Sequence, residues 1–148
     1  MIVVDVNVLV AAHVQAHVHH EAAHAWLAAA LSDPGSGVMA PDLVWVGFLR
    51  IVTNPRVFSE PATLAEASDF VRRVRAAPGY LAVPGLADGL DRFLEVCRAA
   101  ETPSGLVTDA YIAAVARAHA CPVATFDRDF RRFDGLAVVT PGQPGGSA

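Results

Sequence analysis

The stretch Met1-Ile2-Val3-Val4-Asp5-Val6-Asn7-Val8-Leu9-Val10 decides the fold. Its first four residues are an apolar, β-rich run that predicts a buried strand, and residues 6–14 read as a turn entering a helix. A carboxylate inside such a run is expensive to bury alone, so Asp5 has to be protonated, paired or metal-bound. Outward from this start, residues 20–31 (HEAAHAWLAAAL) predict an alanine-rich helix closed by Ser32-Asp33-Pro34-Gly35. Val38 to Ala40 predicts a short buried strand. Pro41-Asp42 then opens an apolar helix through Val52, with Asp42 as its N-cap and Asn54-Pro55 as its stop. Residues 63–76 are amphipathic, Tyr80 to Val83 predicts a further strand, and residues 86–99 and 105–119 predict two helices. Strands at Pro122 to Phe126 and Leu136 to Thr140 complete the order. Short strands alternating with helices predict an α/β domain with a mainly parallel sheet over residues 1–140. The Pro/Gly/Ser-rich segment 141–148 is expected to be a disordered tail.

Composition narrows the function. The chain has 148 residues, 53% of them hydrophobic and 18% charged, which suits one domain with a real core and excludes a disordered chain. A net charge of −4 excludes a polybasic protein that coats nucleic acid or a membrane surface. No apolar stretch is long enough for a membrane span, and the start lacks a basic leader and cleavage site. Cys97 and Cys121 suggest reduced thiols rather than a disulfide framework, so a cytoplasmic protein is expected. All eleven basic residues are arginine. Walker A nucleotide binding and Schiff-base chemistry both need a lysine and are excluded.

Parallel sheets bind ligands at the carboxyl ends of their strands, and that is where the acids fall. Asp127 ends Val123-Ala124-Thr125-Phe126-Asp127 as Asp5 ends the first strand. Asp109 stands in the first turn of the helix from Val107, in line with Ile112, Ala113 and Ala116 on the apolar face. Each has an ordinary alternative role: Asp127 as a turn cap, Asp109 as a partner of the helix dipole. Together they would repel one another unless a cation lay between them. Oxygen ligands without neighbouring cysteine suit Mg²⁺ or Mn²⁺ better than zinc. Such ions activate water and neutralise phosphate oxygens.

Asp5-Val6-Asn7-Val8-Leu9, Val107-Thr108-Asp109-Ala110 and Thr125-Phe126-Asp127-Arg128-Asp129-Phe130 resemble, in this order, the PIN domain. The resemblance is strongest to VapC-type ribonuclease toxins, and the segment Phe48-Leu49-Arg50-Ile51-Val52-Thr53-Asn54-Pro55-Arg56-Val57-Phe58 shares it. It implies a three-layer α/β/α PIN-like domain and an Mg²⁺- or Mn²⁺-dependent endoribonuclease of a toxin–antitoxin pair. Asp5, Asp109 and Asp127 would be its catalytic and metal-holding residues. It also implies an RNA substrate, a small VapB-type antitoxin and a homodimer. Asn7, Thr108, Thr125 and Asp129 are candidates to orient the acids. Arg50, Arg56, Arg128, Arg131 and Arg132 could grip an RNA phosphate, with Arg128 the first candidate because it adjoins Asp127. One position departs from the pattern: Gly47 stands where the family usually has glutamate. Asp42 lies five residues earlier, about 140° around the helix, and points elsewhere.

Two other readings fit parts of the chain. The missing glutamate suits a PIN-like RNA- or protein-binding module that has lost catalysis. His20-Glu21-Ala22-Ala23-His24 matches the zinc-hydrolase pattern HExxH, with His13, His17 and His19 near enough in sequence to offer a third ligand. Other folds with an aspartate at a strand end, the haloacid-dehalogenase-like phosphatases and receiver domains, want a lysine. Dinucleotide binding wants a glycine-rich turn where Asp5-Val6-Asn7 stands.

Overall fold

The computed structural model describes residues 1–83 and 89–143. Strand β1 (Ile2–Val4) leads into helix α1 (Val6–His13), followed by α2 (His20–Ser32), β2 (Val38–Met39), α3 (Asp42–Val52) and α4 (Leu64–Ala76). Helices α5 (Gly89–Ala99) and α6 (Val107–Ala118) come next, then β3 (Val123–Ala124) and β4 (Val138–Val139). Single 3-10 turns at Ser104–Leu106 and Arg128–Arg132 join the later elements. The expected helix start at 86–88 and the tail from 144 onward lie outside the described residues.

The four strands form one parallel sheet in the order β2-β1-β3-β4. The chain runs from β1 out to β2 on one side and returns to β3 on the other, so the order reverses between β1 and β3. That junction is where open α/β sheets leave a crevice at their carboxyl ends. Its register pairs Val3 with Val123 and Val4 with Ala124, which brings Asp5 beside Thr125. Helices cover the sheet in an α/β/α arrangement, with α6 packed on β1 and β3 and α5 on α6, while α1 packs on α2 and α3. Among the described residues no helix is long and apolar enough to cross a membrane.

Val3, Val4, Leu9, Met39, Phe48, Ile112, Phe130 and Phe133 form the centre of the core. Helix α4 is set by a full capping box, in which Thr63 accepts from the Glu66 N–H and Glu66 accepts from the Thr63 N–H.

The structure departs from two expected features of this region. Tyr80 to Val83 makes no strand; Tyr80 forms one isolated parallel bridge with Val38, because β2 is only two residues long and offers little edge to pair with. Asp42 is not a cap: Pro41 occupies the N-cap position of α3, with no side-chain bond, and Asp42 is the first helical residue. The apolar circumference of α3 is largely satisfied within the chain, since Trp45 and Phe48 are both buried. Leu43 and Val46 are its exposed apolar side chains.

Candidate active site

Asp5 is the last extended residue before α1 and serves as its N-cap, with the Val6 N–H donating to Oδ1 at 2.6 Å. Its second oxygen accepts from the Thr125 hydroxyl at 2.7 Å. Thr125 is fully buried, and that hydroxyl is saturated: it also accepts from Asn7 Nδ2 at 3.0 Å and from the Asp127 N–H at 2.9 Å. Asn7 turns its Oδ1 to the Phe126 N–H at 3.2 Å. One threonine therefore ties the end of β1, the start of α1 and the loop after β3 into a single network. Asn7 and Thr125 thus bind the Asp5 carboxylate to the loop that carries Asp127.

Asp127 is exposed, and its Oδ1 accepts from the Asp129 N–H at 2.8 Å, capping the 3-10 turn. Its capping role is thus real and leaves Oδ2 uncommitted to that turn. Asp109 sits half-buried in the first turn of α6, behind the exposed Thr108. Asp5, Asn7, Thr108, Asp109 and Asp127 all line one cleft of about 300 Å³, together with Val6, Val10, His17, Gly47, Arg50 and Ile51. A larger groove of about 770 Å³, walled by His13, Phe58, Glu66 and Arg73 among others, contains none of the three aspartates.

The acids feel one another. Burial first, then the charge of Asp127, pushes the Asp5 carboxyl up to about 6, against the lowering effect of its bonds to Thr125 and Val6. Burial, followed by the charges of Asp5, Asp127 and Asp129, raises Asp109 to about 7. Asp129 thus reaches the site electrostatically, although it does not line the cleft. Carboxylates in this state gain from any cation placed among them. Among the described residues no three His, Cys, Asp or Glu side chains stand close enough to make a ready-made metal site. The donor set is nevertheless the hard, all-oxygen kind that suits Mg²⁺ or Mn²⁺, ions that retain several waters and bind through few carboxylates. Each Asp5 oxygen, already holding one donor, keeps a lone pair for such an ion.

Gly47 faces this cleft, and a Cβ built on it would meet Val6 Cγ2 at 2.9 Å. A side chain at position 47 would therefore require Val6, on the neighbouring helix, to shift. Arg128 is exposed and outside the lining; the arginine that does line the cleft is Arg50. It lies three residues after Gly47 on α3, so its side of the helix was readable from spacing. His17 also lines the cleft, and nothing in the sequence announced it, because it belongs to the irregular link between α1 and α2.

The HExxH histidines do not assemble a zinc centre. His20 Nδ1 donates to the Ala11 carbonyl at 2.9 Å, and its ring lies 5.4 Å from that of His24. The offered third ligands go elsewhere: His13 packs on Phe48 and Phe70, His17 turns to the acidic cleft, and His19 stacks on Phe126.

A parallel sheet with acids at both sides of its switch point, and a third acid opening the last long helix, defines the PIN class. The PIN domain profile matches residues 2–136, and the chain belongs to that family, in its VapC branch. The chain is 38% identical to ribonuclease VapC31 of Mycobacterium tuberculosis over 143 residues, covering 95% of this chain and 99% of that one. Ribonuclease VapC25 of the same organism is 37% identical over 143 residues, with the same coverage. In the crystal structure of VapBC2 from Rickettsia felis, bound to a DNA fragment from their promoter, one chain matches with a TM-score of 0.69 and 16% identity. The match covers 95% of this chain and 99% of that one, and it shows a shared fold.

Proposed function

We infer that this chain is an endoribonuclease toxin of a toxin–antitoxin pair, that its cleavage depends on Mg²⁺ or Mn²⁺, and that a small VapB-type antitoxin restrains it. The observation that carries this reading is the convergence of Asp5, Asp109 and Asp127 on one cleft, where burial and mutual repulsion raise two of them. The ribonuclease names of its relatives support the reaction class. In the bound state the ion supplies a lowered pKa for water and neutralisation of phosphate charge. Asp5, Asp109 and Asp127 are the residues that would hold it. Thr125 keeps Asp5 oriented, Asn7 fixes the loop that presents Asp127, and Arg50 offers planar donors to an RNA phosphate. The homodimer implied by the resemblance would draw on exposed apolar side chains such as Leu43 and Val46.

A second reading has its own observation. Gly47 replaces the usual glutamate, and Val6 crowds the point where any side chain there would start, which favours an impaired, binding-only module. Purified protein incubated with RNA distinguishes the two. The endoribonuclease cleaves with Mg²⁺ or Mn²⁺, stops with chelator, and loses cleavage in Asp127→Asn. A chain that binds RNA without cutting it under every metal condition is the module.

A further inference from the structure

Beside the acids lies a group of rings that the chemistry above does not use. The link between α1 and α2 carries His19 onto Phe126, and the two rings stack with centroids 4.3 Å apart and planes 11° from parallel. His19 is exposed and Phe126 half-buried, so the pair offers a flat imidazole face to solvent backed by a fixed ring. Phe126 is held by its place between Thr125 and Asp127 and by its N–H bond to Asn7 Oδ1 at 3.2 Å. The platform is thus built on the same loop as a cleft aspartate.

His17 links the platform to the cleft. It lines the cleft, while its Nδ1 accepts the His19 N–H at 3.1 Å. An imidazole that accepts at Nδ1 carries its proton on Nε2. In this arrangement His17 is therefore a neutral N–H donor. It cannot serve as a metal ligand, which needs one ring lone pair free and the other nitrogen protonated. A donor of this kind suits a phosphate oxygen. The bond from the His19 backbone also couples the donor to the stacking ring, so the two are placed as a unit.

We propose that His17, His19 and Phe126 form a subsite for one unpaired nucleotide of an RNA strand lying along the acidic cleft, its base stacked on the His19–Phe126 pair and its phosphate held by His17 Nε2–H. The subsite rests on the ribonuclease reading, since it places a nucleotide next to the bond to be cut. Unpaired nucleotides are the ones whose base faces are free to stack on protein rings. A flat pair without a polar fork accepts any base but rewards those that stack strongly.

The test uses the full chain in an Asp5→Asn background, with Mg²⁺ present and 2-aminopurine scanned through a short single-stranded RNA. Binding is read by anisotropy and stacking by fluorescence quenching, while the unmodified chain is assayed for cleavage of the same RNA. One position should be quenched on binding. His19→Ala should abolish that quenching and weaken binding about tenfold, the scale of one lost base–aromatic stack. Phe126→Leu, which keeps apolar bulk, should reduce the quenching. His17→Ala should weaken binding, and His17→Gln, which restores an N–H donor, should recover part of it. In the cleaving protein, His19→Ala should broaden the base preference next to the cut. If the chain cleaves the RNA and no position is quenched, or His19→Ala alters neither quenching nor affinity, the subsite is overturned and the ribonuclease reading stands. If the chain neither binds nor cleaves RNA, both fall.

Discussion

Replacing Asp5 by asparagine should stabilise the protein in the absence of metal, and the gain should depend on pH in a defined direction. In the folded chain burial raises Asp5 from 3.8 to about 6, so the folded state holds its proton where the unfolded chain has already lost it. Stability contributed by such a group is present at low pH and is lost as pH rises through the window between those values. A shift of about 2 units corresponds to about 3 kcal/mol of penalty above that window. Asparagine removes the penalty but faces Thr125, whose hydroxyl already donates to Asp5 and accepts from Asn7 and Asp127. Turning that hydroxyl costs about 1 kcal/mol, the worth of one hydrogen bond. The net expectation at pH 8 in chelator is a gain of about 2 kcal/mol, or about 4–8 °C in Tm for a domain of this size. Urea unfolding of both proteins from pH 4.5 to 8.5 reads it directly. The two stabilities should lie closest at the acid end and diverge as pH rises. A variant that is equally stable or less stable at pH 8, with the same pH slope as the parent, would refute the claim that Asp5 is buried against its own charge.

Two other substitutions test the site's construction. Thr125→Val should destabilise the protein by about 2–4 kcal/mol in denaturant unfolding, because it strands the Asn7 amide and the Asp127 N–H and takes a donor from Asp5. Gly47→Glu should destabilise the chain as a single change, since its Cβ meets Val6. Paired with Val6→Ala it should regain stability and tighten Mn²⁺ binding measured by calorimetry.

Much of this was legible in the sequence because the informative residues break a local pattern. Asp5 interrupts an apolar strand, and Asp127 ends a later strand in the same way, so a parallel sheet with acids at its carboxyl ends followed from periodicity alone. The α3 helix shows the limit. Its apolar character was plain, but whether Trp45 and Phe48 meet a partner or their own chain depends on where α1 and α4 pack. They pack inward, with Phe48 stacked on Phe70 of α4. Tyr80 to Val83 reads as a strand by composition, yet pairing needs an edge, and β2 supplies too short a one. Thr125 was one candidate among several; its three hydrogen bonds arise from the register of β1 against β3, which no local signal encodes. His17 and His19 sat beside a zinc-like motif in sequence, and only the path of the link after α1 sends His17 to the acidic cleft and His19 onto Phe126.

The proposal that most needs testing is that Asp5, Asp109 and Asp127 hold Mg²⁺ or Mn²⁺, as one ion or two. Paramagnetic broadening by Mn²⁺, followed residue by residue in NMR spectra of the unmodified chain and of the Asp109→Asn and Asp127→Asn variants, tests it most directly. Broadening should centre on Asp5, Asp109, Asp127 and cleft neighbours such as Asn7 and Thr108, be reversed by excess Mg²⁺ and weaken in each variant. Broadening centred elsewhere, on His20 and His24 for example, or undiminished in both variants, would contradict it.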